Sequence, residues 1–114
     1  DDSAEMIRTM WFNMFEFVSE APNDFLFLEY GSLAKLLTPE QQSIADGFAE
    51  DIGALLQRGV DDGILAPLDR STLTLLLVAP AERLARRTVI SGAPIPLETV
   101  AQTFERVWLS ISNN

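Results

Sequence analysis

The sequence predicts an all-α fold, a single five-helix bundle that occupies residues 1–114. Three features of the sequence predict this fold. Apolar residues recur every three to four positions in several long segments, glycines and prolines separate those segments, and no stretch alternates apolar and polar residues long enough to form a strand. Because 47% of the residues are apolar, the chain has enough apolar surface to build a core and is not expected to be disordered.

The first predicted helix covers residues 3–21, and the second covers residues 24–36. Asp2 occupies the N-cap position of the first helix, and Glu5 three residues later gives a pattern that resembles a capping box. Pro22 and the residue after it interrupt the helical pattern. The sequence therefore predicts a break between a long helix and a shorter one.

The third helix has the clearest start in the sequence. Thr38 is suited to the N-cap, Pro39 to the first helical position and Gln41 to the third. The helical pattern ends at residue 61 or 62. Gly63 follows and can adopt the left-handed conformation that commonly terminates a helix.

The last two predicted helices are long as well. Asp69 is the expected N-cap of a fourth helix over residues 70–90. A loop containing glycine and proline follows, and the fifth helix begins near Pro96 and ends near Ile111.

Two of these helices carry more apolar surface than one helix contact needs. The first helix has a wide apolar arc, and Phe12 falls on its polar side. The first half of the fourth helix, residues 73–81, is apolar on every side and must therefore be covered on every side. We expect a second copy of the chain to supply part of that cover, in a homodimer built from the fourth and fifth helices. The predicted interface residues are Leu73, Leu77, Leu84, Phe104 and Trp108.

The composition argues against an enzyme. The chain contains no cysteine and no histidine. Disulfides, thiolate catalysis and thiolate metal sites are therefore excluded, and the commonest general base and metal ligand are missing. The sequence predicts no catalytic residue, no metal site and no cofactor.

The charge and the apolar runs bear on nucleic acids and membranes. Seventeen acidic residues against eight basic ones give a net charge of −9, which disfavours direct binding of this chain to DNA, RNA or an anionic membrane. No apolar run reaches the roughly 20 residues of a membrane helix, and the first residues do not resemble a signal peptide. Since residue 1 is not methionine, we expect the chain to be a piece of a longer protein.

The order of segments resembles a known family. An aromatic-rich first helix is followed by APNDFLFL at residues 21–28, then by the Thr-Pro-Glu helix start, and later by GVDDGILAPLD at residues 59–69. This order resembles the C-terminal domain of TetR-type bacterial transcriptional regulators. The resemblance implies a cytoplasmic domain that binds an effector and forms a homodimer. It also implies that DNA is bound by an N-terminal helix-turn-helix domain absent from this chain.

An apolar effector pocket is predicted beside the wide apolar arc of the first helix. Methionine suits such a pocket because its thioether is polarisable and adaptable, and an amide or a hydroxyl would orient the ligand. The alternative for the methionines is ordinary core packing, and for Asn13 a solvent-facing position. The predicted lining residues are Met10, Asn13, Met14, Phe17, Tyr30, Phe48 and Leu76.

Other clusters have a structural and a functional interpretation. The aromatic second helix, with Phe25, Phe27, Leu28 and Tyr30, is either core packing or a gate to the pocket. The arginine cluster towards the C-terminal end of the fourth helix interacts favourably with the helix dipole, with anion binding or a role between subunits as the alternative. The acidic pairs are discounted as metal sites because they lack further spaced ligands. These charged groups are Arg83, Arg86 and Arg87, Asp61 and Asp62, and Glu16 and Glu20.

The sequence thus favours the effector-sensing and dimerisation domain of a TetR-like repressor, with partners limited to a second copy, a small apolar effector and, through the missing domain, DNA. The alternative is a helical dimeric interaction module without a small-molecule ligand.

Overall fold

Five α-helices form the structure, a computed structural model that describes residues 2–113, with residues 32 and 33 described by their backbone alone. The fold is all-α, as predicted, and in the described residues β-pairing is limited to an isolated antiparallel bridge between Leu65 and Ser112. The helices are α1 (Ser3–Glu20), α2 (Pro22–Leu33), α3 (Pro39–Asp61), α4 (Arg70–Ser91) and α5 (Leu97–Ile111).

Side chains at the N-caps start three of the helices. Asp2 Oδ1 accepts a hydrogen bond from the Ala4 amide at 2.9 Å, at the start of α1. At the start of α3, the Thr38 side chain accepts from the Gln41 amide at 3.2 Å. The Gln41 side chain accepts from the Thr38 amide at 3.0 Å. The predicted N-cap at Thr38 is thus confirmed, and the reciprocal pair makes it a capping box, the pattern that the sequence indicates for Asp2 and Glu5.

Asp69 caps α4 in the predicted way. Its Oδ1 accepts from the Thr72 amide at 2.8 Å and from the Ser71 hydroxyl at 3.0 Å. These bonds, with the Thr72 backbone bond contributing most, hold the pKa of the Asp69 carboxyl below its usual value because they stabilise the charged form.

The ends of α3 and α4 use glycine, as the sequence indicates for α3. Gly63 has a φ of 77° and Gly92 a φ of 70°, values that cost little without a Cβ. The connector after α3 is fixed by hydrogen bonds to the end of α5. The Ala66 amide donates to Ile111 O and the Asn113 amide to Ile64 O, both at 2.8 Å.

The boundaries of α2 differ from the predicted 24–36. The helix begins at Pro22 because proline is well tolerated at the first helical position, where the amide has no helical partner. It ends at Leu33. Lys35 has a φ of 57°, a left-handed conformation that cannot continue a right-handed helix.

The core lies where α1, α4 and α5 meet. The Trp11 ring centroid is 4.1 Å from that of Phe15 and 5.0 Å from that of Phe104. The Trp11 Nε1 donates a buried hydrogen bond of 3.1 Å to the Leu77 carbonyl. The indole therefore satisfies its polar atom while filling the space between these helices.

The wide apolar surface of α1 is covered within the chain. This helix contacts α2, α3, α4 and α5, so its apolar arc does not by itself require a ligand pocket. Phe12, on the side predicted to be polar, packs on Phe104 at 5.4 Å. The Arg8 guanidinium lies 5.1 Å from both of these ring centroids and covers them from the solvent side by cation–π contact.

Helix α4 is also covered largely by its own chain. It contacts all four other helices, and Leu73, Leu77, Val78 and Ala81 are buried. Leu75 points away from these contacts and is 64% exposed. Most of the apolar surface of this segment is therefore buried by its own chain, and much less of it is left for a second chain to cover than the sequence alone suggests.

In the described part of the chain, no helix combines the length and the apolar character needed to cross a membrane.

Candidate functional site

A groove between α1 and α3 contains two of the predicted pocket residues. Met10 and Asn13 line it together with Met6 and Leu55, and the volume of the groove is about 590 Å³. Its remaining lining residues are Asp2, Glu5 and Thr9. The lining thus combines thioether and aliphatic surface with amide, hydroxyl and carboxylate groups, the mixture that binds and orients small ligands.

The aromatic residues of the predicted pocket lie farther along the α1–α3 contact, outside the lining of this groove. The Phe17 and Phe48 rings stack with centroids 6.5 Å apart and planes 12° apart. Phe17 also meets Phe25 edge to face at 6.0 Å. Phe48 is 51% exposed, and Met14 is half-buried against the core. These side chains form a partly solvated cluster of their own.

Tyr30 lies at a third place, the contact between α2 and α4. Its hydroxyl is 3.5 Å from Glu82 Oε2. The neighbouring Glu29 is half-buried, and this burial, followed by the hydrogen bond and the charge of Glu82, raises the pKa of Glu29 to about 7. The Glu29 carboxyl therefore retains its proton to nearly neutral pH at the α2–α4 contact.

Leu76 lines a separate groove, between α4 and α5, with a volume of about 470 Å³. Pro80 and Val107 supply further apolar surface. The other lining residues are polar or charged: Gln102, Thr103, Arg106 and Ser110. The seven predicted pocket residues are thus distributed over four places instead of around one cavity.

The comparison with known families decides the identity of the domain. A family model described as the tetracyclin repressor-like, C-terminal domain matches residues 4–112, nearly the whole chain. The chain belongs to this TetR-type family. The resemblance seen in the sequence is thereby confirmed, and the fold is that of transcription regulators and not of an enzyme family.

Solved structures of TetR-family proteins share the fold of this TetR-type domain. A TetR family transcription regulator from Marinobacter aquaeolei is 20% identical, with a TM-score of 0.74 over 95% of this chain and 56% of that one. A putative transcriptional regulator of the TetR family from Vibrio parahaemolyticus is 18% identical, with a TM-score of 0.68 over 100% of this chain and 60% of that one. This chain therefore spans less than two thirds of either protein. A search of curated proteins gives no match.

Four of the five predicted interface residues lie in the core of the TetR-type domain itself. Leu73 and Leu77 are fully buried, Leu84 and Phe104 nearly so, and Trp108 is half-buried. Side chains that are already buried within one chain have little surface left for a second one. An interface on α4 and α5 would use their outward residues, among them Leu75 and Leu109, which is 56% exposed.

The charged candidates are mostly solvated. Arg83, Arg86 and Arg87 are exposed, as are Glu16 and Glu20. Asp61 accepts a hydrogen bond from Gln57 at 3.0 Å, and Asp62 pairs with Arg58 at 3.7 Å. Within the residues described, no group of three or more potential metal ligands comes together.

The structure adds two features that sequence reasoning missed. The Glu29–Glu82 pair joins residues 53 positions apart on different helices, so no local pattern could reveal it. The carboxylates of Asp2 and Glu5 in the α1–α3 groove appeared in the sequence as helix-capping groups. A helical wheel could have found Glu5, since it lies about one turn before Thr9 and two turns before Asn13 on the same helix, and both line the groove.

Proposed function

We propose that this TetR-type domain senses a small effector and forms the homodimer of a transcriptional repressor whose DNA contact is made by a separate N-terminal helix-turn-helix domain. The observation that carries the proposal is the family match over residues 4–112. The net charge of −9 supports the assignment of DNA binding to a separate domain, because this acidic domain repels the phosphate backbone of DNA.

The mechanism is a shift between two arrangements of the helices. An effector that binds one arrangement more tightly increases its population, and it can do so only by its differential affinity. In a dimer, a change in the angle between α1 and the rest of the bundle alters the separation of the linked DNA-binding domains. Their recognition helices then no longer match two half-sites about one helical turn apart.

The dimer is proposed to form through the outward faces of α4 and α5. Leu75 and Leu109 expose apolar surface there, next to the groove that Leu76 and Val107 line. Leu75→Arg places a charge in this face, and we expect it to convert a dimer into a monomer, because a charge buried in an interface without a partner is costly. Size exclusion with light scattering measures the mass.

Ile44→Arg is the matched control for the dimer. Ile44 is 54% exposed on α3, away from the proposed interface, and this variant should remain dimeric. A wild-type chain that stays monomeric at tens of micromolar, or equal dissociation of both variants, would refute the proposed interface.

The effector is proposed to be small and largely apolar, and Met10 and Asn13 are the predicted pocket residues that share a groove. A thermal-shift screen of apolar ligands tests for it. A ligand present at 100 times its dissociation constant should stabilise the fold by about 2.7 kcal/mol. A Met10→Ala variant should then lose affinity, while Met14→Ala, outside the groove lining, should keep it.

One observation favours the alternative, a dimeric interaction module without a small ligand. The core between α1, α4 and α5 is filled by Trp11, Phe15 and Phe104, and both grooves are open at the surface. A stable dimer that no compound of the screen stabilises would support this alternative over effector sensing.

A further inference from the structure

Two arginines continue the exposed side of α4 on which the proposed dimer interface begins. Leu75 and Ala79 are exposed, and Arg83 and Arg86 follow on the same side of the helix, one to three turns later. In the part of the chain that the structure describes, neither arginine has a carboxylate within ion-pair distance. Their guanidinium groups are therefore available to a partner.

Helix α5 carries the opposite charge on its own exposed side. Glu98 and Glu105 lie two turns apart, and Leu109 follows one turn later, so that the three residues form one exposed row. The Gln102 amide donates to Glu98 Oε1 at 3.3 Å within the helix, which leaves further acceptor positions on this carboxylate. An acidic row on α5 thus stands next to a basic row on α4.

The two rows can be aligned because α4 and α5 form a helical hairpin. Only residues 92–96 join the two helices, a length typical of antiparallel neighbours. In the groove between them, Leu76 and Pro80 lie beside Thr103 and Val107. Residue 78 of α4 is therefore near the level of residue 105 of α5.

This alignment places an apolar pair at one level and an opposite-charge pair at another. Leu75 lies three residues before that reference level on α4, and Leu109 lies four residues after it on the antiparallel α5. Arg86 and Glu98 lie eight and seven residues away in the other direction. With the usual helical rise, the members of each pair lie within about 1.5 Å of the same level.

A two-fold axis parallel to this hairpin makes the surface complementary to itself. It places α4 of each chain on α5 of the other and keeps every level unchanged. Building on the homodimer of the proposed function, we propose that the exposed arginines of α4 form ion pairs with the exposed glutamates of α5 in a second copy. The charges thereby select both the partner and the register of the dimer.

The overall charge of the chain also favours a second copy as the occupant. Arg87 and Arg106 are exposed beside the same groove, so that four arginines accompany two glutamates on this surface. A second copy, with its net charge of −9, is repelled least where the surface is positive. A polyanion such as nucleic acid gains nothing from Glu98 and Glu105, whereas a partner that itself presents arginines does.

Two charge-reversed double variants test the proposal. Arg83→Glu with Arg86→Glu, and Glu98→Arg with Glu105→Arg, each place like charges against one another in a homodimer. Sedimentation equilibrium at physiological ionic strength should show a dimer dissociation constant at least about tenfold higher than that of the wild type for each variant. An unchanged constant in either variant would overturn the proposal, as expected if α4 instead faced α4 of the second copy.

Mixing the two variants provides the decisive measurement. In a heterodimer of the two, both contacts again join opposite charges, and an equimolar mixture should dimerise about as tightly as the wild type. Recovery in the mixture also shows that neither variant lost its dimer by unfolding. If melting curves show both variants folded and the mixture stays monomeric, the ion pairs are refuted.

Glu16→Arg with Glu20→Arg is the matched control. It changes the net charge as much as the α5 variant does, at exposed positions of α1, and should leave the dissociation constant within about twofold of the wild type, as usual for surface charges outside a contact. Equal weakening by both variants would show an effect of overall charge and overturn the proposal. A wild-type dimer that is indifferent to every reversal leaves the homodimer standing without its ion pairs, whereas a monomeric wild type removes both.

Discussion

Trp11 links the core of this domain through both its ring and its nitrogen. The ring contacts Phe15 and Phe104, and Nε1 donates to the Leu77 carbonyl of α4. Proline at position 80 lacks the amide that would close the helical hydrogen bond to Leu76 O, so the backbone of α4 is already interrupted near this carbonyl. A single residue of α1 thus stabilises the segment of α4 that its proline weakens.

Trp11→Phe should destabilise the fold by about 2–3 kcal/mol, because it removes a buried hydrogen bond and leaves a cavity beside the smaller ring. Urea unfolding followed by circular dichroism measures the change. Trp108→Phe is the control, since Trp108 is half-buried and stacks on Phe104 at 6.1 Å, and its cost should be below about 1 kcal/mol. Equal midpoints for the two variants would contradict the role given to the Trp11 nitrogen.

Glu29 gives the stability of the domain a pH dependence. Its pKa of about 7 in the folded state, caused by burial and by Glu82, lies above its ordinary value of 4.5. The folded state therefore holds the proton more tightly than the unfolded state does. This stabilisation is complete below pH 4.5 and is lost as the pH rises through 7.

Glu29→Gln should therefore raise stability at pH 8 and have little effect near pH 4.5, where the wild-type carboxyl is protonated. Since one pKa unit corresponds to about 1.4 kcal/mol and solvent screens this half-buried group, we expect a gain of about 1 kcal/mol at pH 8. Melting curves at the two pH values measure it, with Glu16→Gln as an exposed control. A gain that is the same at both pH values would argue against the raised pKa of Glu29.

At the scale of the helices, α3 contains one glycine that close packing requires and another on its exposed side. Gly59 is buried where α3 meets the connector, and a Cβ there would lie 2.7 Å from Leu65 Cδ1 and 3.2 Å from Ile7 Cδ1. Gly47 lies on the exposed side of the same helix, where a Cβ would meet nothing within 4 Å. The close approach of Leu65 to Gly59 allows the segment after α3 to pack against the end of α5.

Alanine at these two positions should change stability in opposite directions. Gly59→Ala overpacks a buried contact, and we expect a loss of about 1–3 kcal/mol. Gly47→Ala reduces the freedom of the unfolded chain and should gain about 0.5–1 kcal/mol. Chemical denaturation of both variants gives the comparison, and the same sign at both positions would contradict the packing at Gly59.

At the scale of the whole molecule, the net negative charge of this domain disfavours binding to nucleic acid. Its 17 acidic and 8 basic residues give it a field that repels phosphates. Positive charge is concentrated on α4 at Arg83, Arg86 and Arg87. These arginines are confined to one helix, and that helix packs against all four others. In the full regulator, we expect this domain to transmit a change of shape and a basic domain to make the DNA contacts.

The isolated chain should therefore show no electrophoretic shift of a candidate operator at physiological salt. The physical reason is that non-specific binding depends on cations that neutralise phosphates. A chain that also carries the proposed N-terminal DNA-binding domain should produce the shift. Sequence-specific and salt-sensitive binding by residues 1–114 alone would contradict the proposed division of labour.

The sequence alone determined the class of the fold, the family and most helix boundaries. Helix starts at Thr38 and Asp69 and the end at Gly63 depend on hydrogen bonds and backbone angles within a few residues, which local sequence specifies. The predicted end of α2 was wrong by three residues because the left-handed conformation of Lys35 has no strong sequence signal.

Tertiary structure alone decided which side chains meet. A helical wheel identifies an apolar side but not the neighbour that covers it, so the cover of α4 and α1 by their own chain could not be predicted. For the same reason, the seven predicted pocket residues separate into different contacts, and Met10 and Asn13 come together with Asp2 and Glu5. Burial and pairing depend on how helices distant in sequence pack, and this packing also raises the pKa of Glu29 beside Glu82.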